Sequence, residues 1–490
     1  MLSILLIVPI LGALAIACWP SQTKSIASSI ALAVIGWTVW LLTQFDLSNP
    51  GMQFVENINW IDTLGLSYRL GVDGLSLPLV ALNSLLTWVA IYSSDEKIER
   101  PRLYYTLILI LNAAVSGVFL AQDLLLFFIA YELELIPLYL LIAIWGGQKR
   151  AYAATKFLIY TAFSGALILA AFLGLAWFGG SNSFIYNPAL ANALPVSQQL
   201  LLLGALLLGF GIKMPLFPFH TWLPDAHVEA STPISVLLAG VLLKLATYGI
   251  LRFCVGLFPD AWQIAAPWLS IWAIVSVLYG ALMAIAQTDM KKMVAYSSVS
   301  HMGYILLAAA ANTPLSFSAA MIQMVSHGLI SATLFLLVGV VYQKTKTRDI
   351  NVLEGLLNPE RGMPVIGSLM VVGVMASAGI PGMVGFVAEF LIFRSSFPIF
   401  PIQTLLCMVG TGLTAVYYLL LINKAFFGRL SAPVQNLEAV TWRERYPAMI
   451  LTAAIVIFGF QPGWITRWSE PTIAATLHQP PAVVANVVAK

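Results

Sequence analysis

The sequence predicts an all-α polytopic membrane protein of about fourteen membrane-crossing helices. Three observations predict it: 60% of the 490 residues are hydrophobic, only 9% are charged, and long apolar runs recur from end to end. Soluble proteins carry about 25% charged residues, and a crossing helix needs about 20 apolar ones. Lipid offers backbone groups no partner, so each run must close its own hydrogen bonds as a helix.

The runs fall at 1–19, 25–45, 75–94, 102–121, 123–145, 152–178, 199–219, 229–257, 263–286, 292–312, 316–343, 363–397, 401–427 and 446–466. In chain order they are spans one to fourteen. The first is uncharged, and the first lysine, Lys24, follows it, so it lacks the basic start of a cleavable signal. The loops after odd-numbered spans hold Lys24, Lys97, Arg100, Arg102, Lys149, Arg150, Lys291, Lys292, Lys344, Lys346, Arg348, Arg361, Arg429, Arg443 and Arg445, fifteen of the 24 basic residues. Loops after even-numbered spans hold almost none, Arg69 being the clear exception. Basic loops stay in the cytoplasm, so both termini are expected on the far side.

Topology accounts for the net charge of +3, which implies no nucleic-acid partner. Cys18, Cys254 and Cys407 are isolated, without ligand spacing for zinc or an iron–sulfur cluster. GxGxxG and GxxxxGK[ST] are absent. The chain is therefore expected to carry no redox cofactor and to use no nucleotide.

The organisation is a single membrane domain, 1–490. Two spans are punctuated: GFGIKMPLFPFHTWLPDAH (209–227) by three prolines, ASAGIPGMVGFVAEF (376–390) by Pro381 and Gly382. Paired broken helices point to an internal repeat with a transport site at the breaks. The units are 102–257 (spans four to eight) and 263–427 (nine to thirteen), flanked by 1–94 and 446–466. The longest non-helical stretch is 46–74.

Ionisable side chains are costly in hydrocarbon and normally face a protein interior or a wet cavity. This chain places Asp123, Glu132, Glu134, Lys156, Lys213, His220, His227, Glu229, Lys244, His301, His327 and Glu389 in or at its spans. Glu132 lies about 13 Å into span five, near the midplane. Glu134 is about 200° further round the helix, so the two cannot face one partner. Glu132 is expected to point into the bundle and Glu134 towards another groove or a neighbouring subunit. The bland alternative is that both pair with lysines and only lock helices together.

Lys213 precedes Pro215, which frees carbonyls in the turn before it. A lysine there can trade proton occupancy with a nearby glutamate for small changes in hydration or distance. Lys244 is mid-helix, beyond reach of either interface, whereas Lys156 is near enough to its span's end to snorkel. His301 and His327 stand on successive helices among Ser and Gly, as either relays or helix–helix hydrogen bonds. Glu389 follows the second break. The series Glu132, Lys213, Lys244, His301, His327, Glu389 suits protons better than Na⁺, which its cationic members would repel. The residues support an ion or proton translocator.

WGGQKRAYAATKF, KMPLFPFHTWLPDAHVEASTPISVLLAGVLLKLATYGILRF, AYSSVSHMGY, SHGLISATLF and IPGMVGFVAEF resemble the antiporter-like subunits of respiratory complex I and related NDH complexes over nearly the whole chain. KxPxxPxHxWLPDAH is highly specific. YELELIPLYLLIAIWGG is most similar to subunit 4, the NdhD type of cyanobacteria and chloroplasts. The resemblance implies fourteen helices in two inverted five-helix repeats, broken seventh and twelfth helices and a central hydrophilic axis. It implies that Glu132 pairs with Lys213, that Lys244 bridges, that His301 and His327 connect, and that Glu389 ends the path. No role follows for Glu134.

The implied function is proton pumping within an NAD(P)H/ferredoxin:plastoquinone oxidoreductase of the thylakoid, with no redox centre in this chain. The implied partners are other NDH-1 membrane subunits, including antiporter-like neighbours, and lipids. Shortness and dissimilar terminal stretches point to the paralogue of the CO2-uptake form, beside a peripheral CO2-hydration module. The rivals are an Mrp-type cation/proton antiporter subunit and a non-pumping scaffold for that module.

Overall fold

The computed structural model describes residues 1–19, 22–435 and 437–477, and helices occupy all fourteen predicted runs. Ten are long and apolar enough to cross a membrane by themselves. Three shorter apolar helices, Ile4–Cys18, Leu77–Ser93 and Pro364–Ser377, fill spans one, three and the first half of twelve. Trp442–Phe460 and Gly463–Thr476 form a last pair bent by 65°.

Spans eight (Thr232–Val255), ten (Met290–Ala311) and eleven (Pro314–Thr345) are enclosed almost entirely by other helices. These three carry Lys244, His301 and His327. Small residues let the core close. A Cβ on Gly280 of span nine would stand 2.6 Å from Ser300 N, and one on Gly303 of span ten 2.9 Å from Ala273 O. Only hydrogen at both positions allows the two backbones that close. Outer spans keep apolar side chains such as Ile159, Phe163 and Leu405 exposed, as surfaces for lipid or neighbours.

Proline chemistry sets the breaks. Pro137 cannot donate to the Leu133 carbonyl, and span five divides at Glu134 into Leu124–Leu133 and Leu135–Trp145. Span seven runs from Val196 to Lys213, unwinds through Pro215 and Pro218, and resumes as Trp222–Glu229. Span nine satisfies the unwound backbone: Trp272 Nε1 donates to Phe217 O at 2.5 Å, and Phe217 N donates to Ser276 Oγ at 3.2 Å. Span twelve breaks between Pro364–Ser377 and Val384–Ser396, where Gly379 and Gly382 take φ of +71° and +90°. Span eight contains two π-helical stretches, Leu238–Leu242 and Ile250–Val255, on either side of Lys244.

The 46–74 stretch holds an antiparallel hairpin, β1 (Gln53–Ile61) and β2 (Leu66–Val72), with Ile61 opposite Leu66. Asp123 ties it to the bundle. Its carboxylate accepts Leu125 N and Leu126 N as the cap of span five, and Ser67 N of β2 at 3.1 Å. The residue is a structural cap and does not belong to an intramembrane charge series.

Candidate functional site

Two clusters of buried charge occupy the interior. In the first, Lys213 at the break of span seven forms an ion pair with Glu134, both side chains essentially without solvent contact. The Lys213 ammonium also stands 3.5 Å from the centre of the Tyr131 ring, close enough for a strong cation–π contact. Ser164 Oγ donates to Gly209 O at 2.6 Å, seating span six against span seven beside the pair.

This corrects the expected pairing of Glu132 with Lys213. Glu134, expected to turn to another groove, makes the ion pair, and Glu132, expected to make it, does not. Glu134 sits at the point where span five breaks, and there it meets Lys213. Glu132 is only partly buried and lies against span six, where a Cβ on Gly165 would stand 1.8 Å from its Oε1. That oxygen is buried without a hydrogen-bond partner among the described residues. Exposed Ile129, Leu133 and Ile136 lie beside it in sequence.

The second cluster is a row of contacts across four spans. Lys244 Nζ donates to Ala239 O at 2.6 Å and stands 2.7 Å from His327 Nδ1. The rings of His327 and His301 are 5.6 Å apart. His301 Nδ1 lies 3.3 Å from Gln323 Nε2 and 3.7 Å from Glu389 Oε1, and its Nε2 lies 3.2 Å from Ser377 Oγ. Glu389 Oε2 accepts from Thr411 Oγ1 at 2.9 Å, and Tyr304 Oη is 3.1 Å from the same hydroxyl. A cavity of about 10 Å3 touches His301, Gln323, His327, Ser377 and Glu389, about the room that one water needs. Among the described residues, no hydrogen bond joins the two clusters.

Cavities open on both faces. The face of the basic loops has one of about 800 Å3, lined by Asp225, Glu229, Asp289, Lys291 and Arg348 among others. Lys156 reaches Asp225 there at 2.7 Å, so it ends in an ion pair and not in the expected snorkel. Lys291, which composition assigned to a loop, is buried and donates to Ala230 O at 2.5 Å. His227, beside Val228 of the cavity wall, is fully buried, stacks on Phe335, and has neither ring nitrogen hydrogen-bonded among the described residues. The opposite face has a cavity of about 540 Å3, whose lining includes Asp73 and Arg252. No three His, Cys, Asp or Glu side chains converge as a metal site among the described residues.

Residues 121–414 match the family described as NADH:quinone oxidoreductase/Mrp antiporter, transmembrane. The chain belongs to that family. Family membership covers both broken spans and every residue of the two clusters. Among relatives, NAD(P)H-quinone oxidoreductase chain 4-2 of Synechocystis sp. is 45% identical over 86% of this chain and 75% of its own length. NAD(P)H-quinone oxidoreductase chain 4 2 of Microcystis aeruginosa is 42% identical over 95% and 91%. A chain of respiratory complex I from Thermus thermophilus superposes with a TM-score of 0.88 at 26% identity, over 98% of this chain and 99% of that one. A chain of the Mrp complex from Dietzia sp. shares the fold with a TM-score of 0.88 at 20% identity, over 97% of each.

Within this member of the NADH:quinone oxidoreductase/Mrp antiporter family, sequence reasoning missed one buried ion pair altogether. Arg252 in YGILRF pairs with Asp73 in GVDGLSL, from 179 positions away. An arginine in the last third of an apolar span was the available signal.

Proposed function

We propose that this chain moves protons across the membrane as the chain 4 subunit of an NAD(P)H-quinone oxidoreductase complex, driven by electron transfer in other subunits. The supporting observation is the row of buried ionisable groups from Lys244 through His327 and His301 to Glu389, each of a kind that can carry a proton and each beside the next, at 2.7 Å, at a ring separation of 5.6 Å and at 3.7 Å. Glu134 and Lys213 form the coupled pair ahead of it, and Glu132 is the carboxylate offered sideways to a neighbour.

In this reading protons load from the basic face, where His227 lies beside the large cavity. The basic loops are cytoplasmic and the termini lumenal, in a cyanobacterial thylakoid. The two five-helix units, 102–257 and 263–427, are inverted repeats that supply one cluster each, with Lys244 at their seam. Other antiporter-like subunits and lipids cover the apolar flanks, and the assembly is the form that supports CO2 uptake, with a hydration module at its edge. Ferredoxin or NAD(P)H supplies the electrons and plastoquinone takes them, outside this chain, which holds no cofactor.

The test is redox-driven proton uptake into sealed vesicles carrying Lys213→Met, with assembly followed in parallel. Lost uptake in an assembled complex is expected. Normal uptake with normal assembly would reduce the buried charges to helix locks and favour the scaffold.

A further inference from the structure

The Arg252–Asp73 pair stands outside the row that runs from Lys244 to Glu389, and that row does not need it. Both side chains are buried, at 6% and 1% exposure. A buried ion pair seldom stabilises a fold more than apolar side chains of the same volume would. Packing alone therefore leaves the pair unexplained.

Its position suggests a use. Arg252 and Asp73 both line the cavity on the face opposite the basic loops. Arg252 is also eight residues beyond Lys244 on span eight, about 12 Å along a helix. Thr247 and Tyr248 lie between them in sequence: Thr247 Oγ1 donates to Lys244 O at 3.1 Å and to Met324 Sδ, and Tyr248 Oη donates to Phe119 O and accepts from Arg252 Nε at 3.2 Å. Span eight thus places two hydroxyls between the Lys244 backbone and the cavity, while the Lys244 amine itself turns back to Ala239 O and His327.

The two halves of the pair are held differently. Asp73 Oδ1 accepts from Leu75 N and Ser76 N, each at 3.1 Å, which fixes it at the start of span three. Arg252 lies inside the π-helical stretch Ile250–Val255, and the other π stretch precedes Lys244. Single π turns inside helices recur at functional sites. Converting one to α rotates the rest of the helix by about 100°. That rotation would swing Arg252 off the anchored Asp73.

We propose that the Arg252–Asp73 pair is the gate of a half-channel joining Lys244 to the cavity on the face opposite the basic loops. With the pair open, a proton leaves the Lys244 ammonium, which becomes a neutral amine, and passes along the hydroxyls and water to the Asp73 carboxylate. Asp73 releases it into the cavity and, charged again, recaptures Arg252. The closed pair prevents back-flow while Lys244 reloads. This gate rests on the reading of Lys244 as a proton carrier.

The experiment uses the whole complex in sealed vesicles. Asp73→Asn keeps the volume and removes the charge that holds Arg252. Passive proton leak without electron donor is expected to rise at least about tenfold, a barrier change of about 1.4 kcal/mol, with fewer protons pumped per electron. Adding Lys244→Met should abolish the extra leak, and the exchange of Asp73→Arg with Arg252→Asp should lower it again. An assembled Asp73→Asn complex with parental leak and stoichiometry overturns the gate. The proton pathway is judged separately by Lys213→Met, so one reading can fail while the other stands. If Asp73→Asn does not assemble, Arg252→Lys takes its place: a raised leak supports the gate and a parental leak overturns it. If the exchanged pair and Arg252→Lys also fail to assemble, the pair is structural and the proposal falls.

Discussion

Lys244 Nζ lies 2.7 Å from His327 Nδ1, and its other contact is the Ala239 carbonyl at 2.6 Å. Among the described residues, no carboxylate comes within ion-pair distance of it. A fully buried lysine head group is thus held by a backbone carbonyl and an imidazole, the side chain that titrates nearest neutrality. Lys213, by contrast, has the Glu134 carboxylate as its partner.

Lys244→Met tests this directly. The substitution keeps most of the stem's volume and removes a buried charge with no counter-ion, so assembly should be preserved or improved. Redox-driven proton uptake should fall by about tenfold or more. Uptake assays and thermal melts of the same purified complex check both halves, and unchanged uptake would remove Lys244 from the path.

The two glutamates of YELELIP should separate under substitution. Glu134→Gln leaves Lys213 as an uncompensated buried charge, which costs about 3–5 kcal/mol and should lower both the melting temperature and the yield of assembled complex. Adding Lys213→Met should restore assembly but not pumping. Glu132→Gln, at a partly exposed position without an ion pair, should leave stability nearly unchanged. Equal destabilisation by the two single variants would contradict the observed pairing.

Hydropathy made the spans legible, and prolines made the breaks legible, because each acts within a few residues of itself. The members of the second cluster were legible for the same reason: Lys244, His301, His327 and Glu389 are conspicuous in apolar runs. Pairings were not. Whether Glu132 or Glu134 meets Lys213 depends on helix phase at a proline break, which an unbroken 100° per residue does not describe. Asp73 stands just before span three and Arg252 inside span eight, neither position names the other, and only the folded chain brings them together. The β1–β2 hairpin was hidden by its setting, a polar loop where two strands are secondary to fourteen helices. Lys291 read as a loop residue because TDMKK is charged, although its side chain turns inward to Ala230.

Gly303→Leu tests the close approach of spans nine and ten. Any Cβ at this position meets Ala273 O at 2.9 Å, and a backbone atom cannot turn aside as a side chain can. The helices must separate, at a cost of about 1–3 kcal/mol for overpacking. His301, two residues away, should then lose register with Ser377 and Glu389. A lower melting temperature together with reduced pumping is expected. Reduced stability with full pumping would show that the His301 contacts tolerate the shift.

Pro137→Ala separates the shape of span five from its charge. Alanine supplies the N–H that Pro137 lacks, so the Leu133 carbonyl gains a partner and the division at Glu134 can close into continuous α-helix. Alanine is favoured over proline in a helix interior by about 3 kcal/mol, so the variant should melt no lower than the parent complex. Closing the break, however, turns Glu134 relative to Tyr131 and Lys213, although the substitution removes no ionisable group. Pumping should therefore fall in a complex that is fully assembled and at least as stable, and this combination sets a lost alignment apart from a lost fold. Full pumping would mean that packing against span seven, and not the proline, holds the Glu134 carboxylate on Lys213.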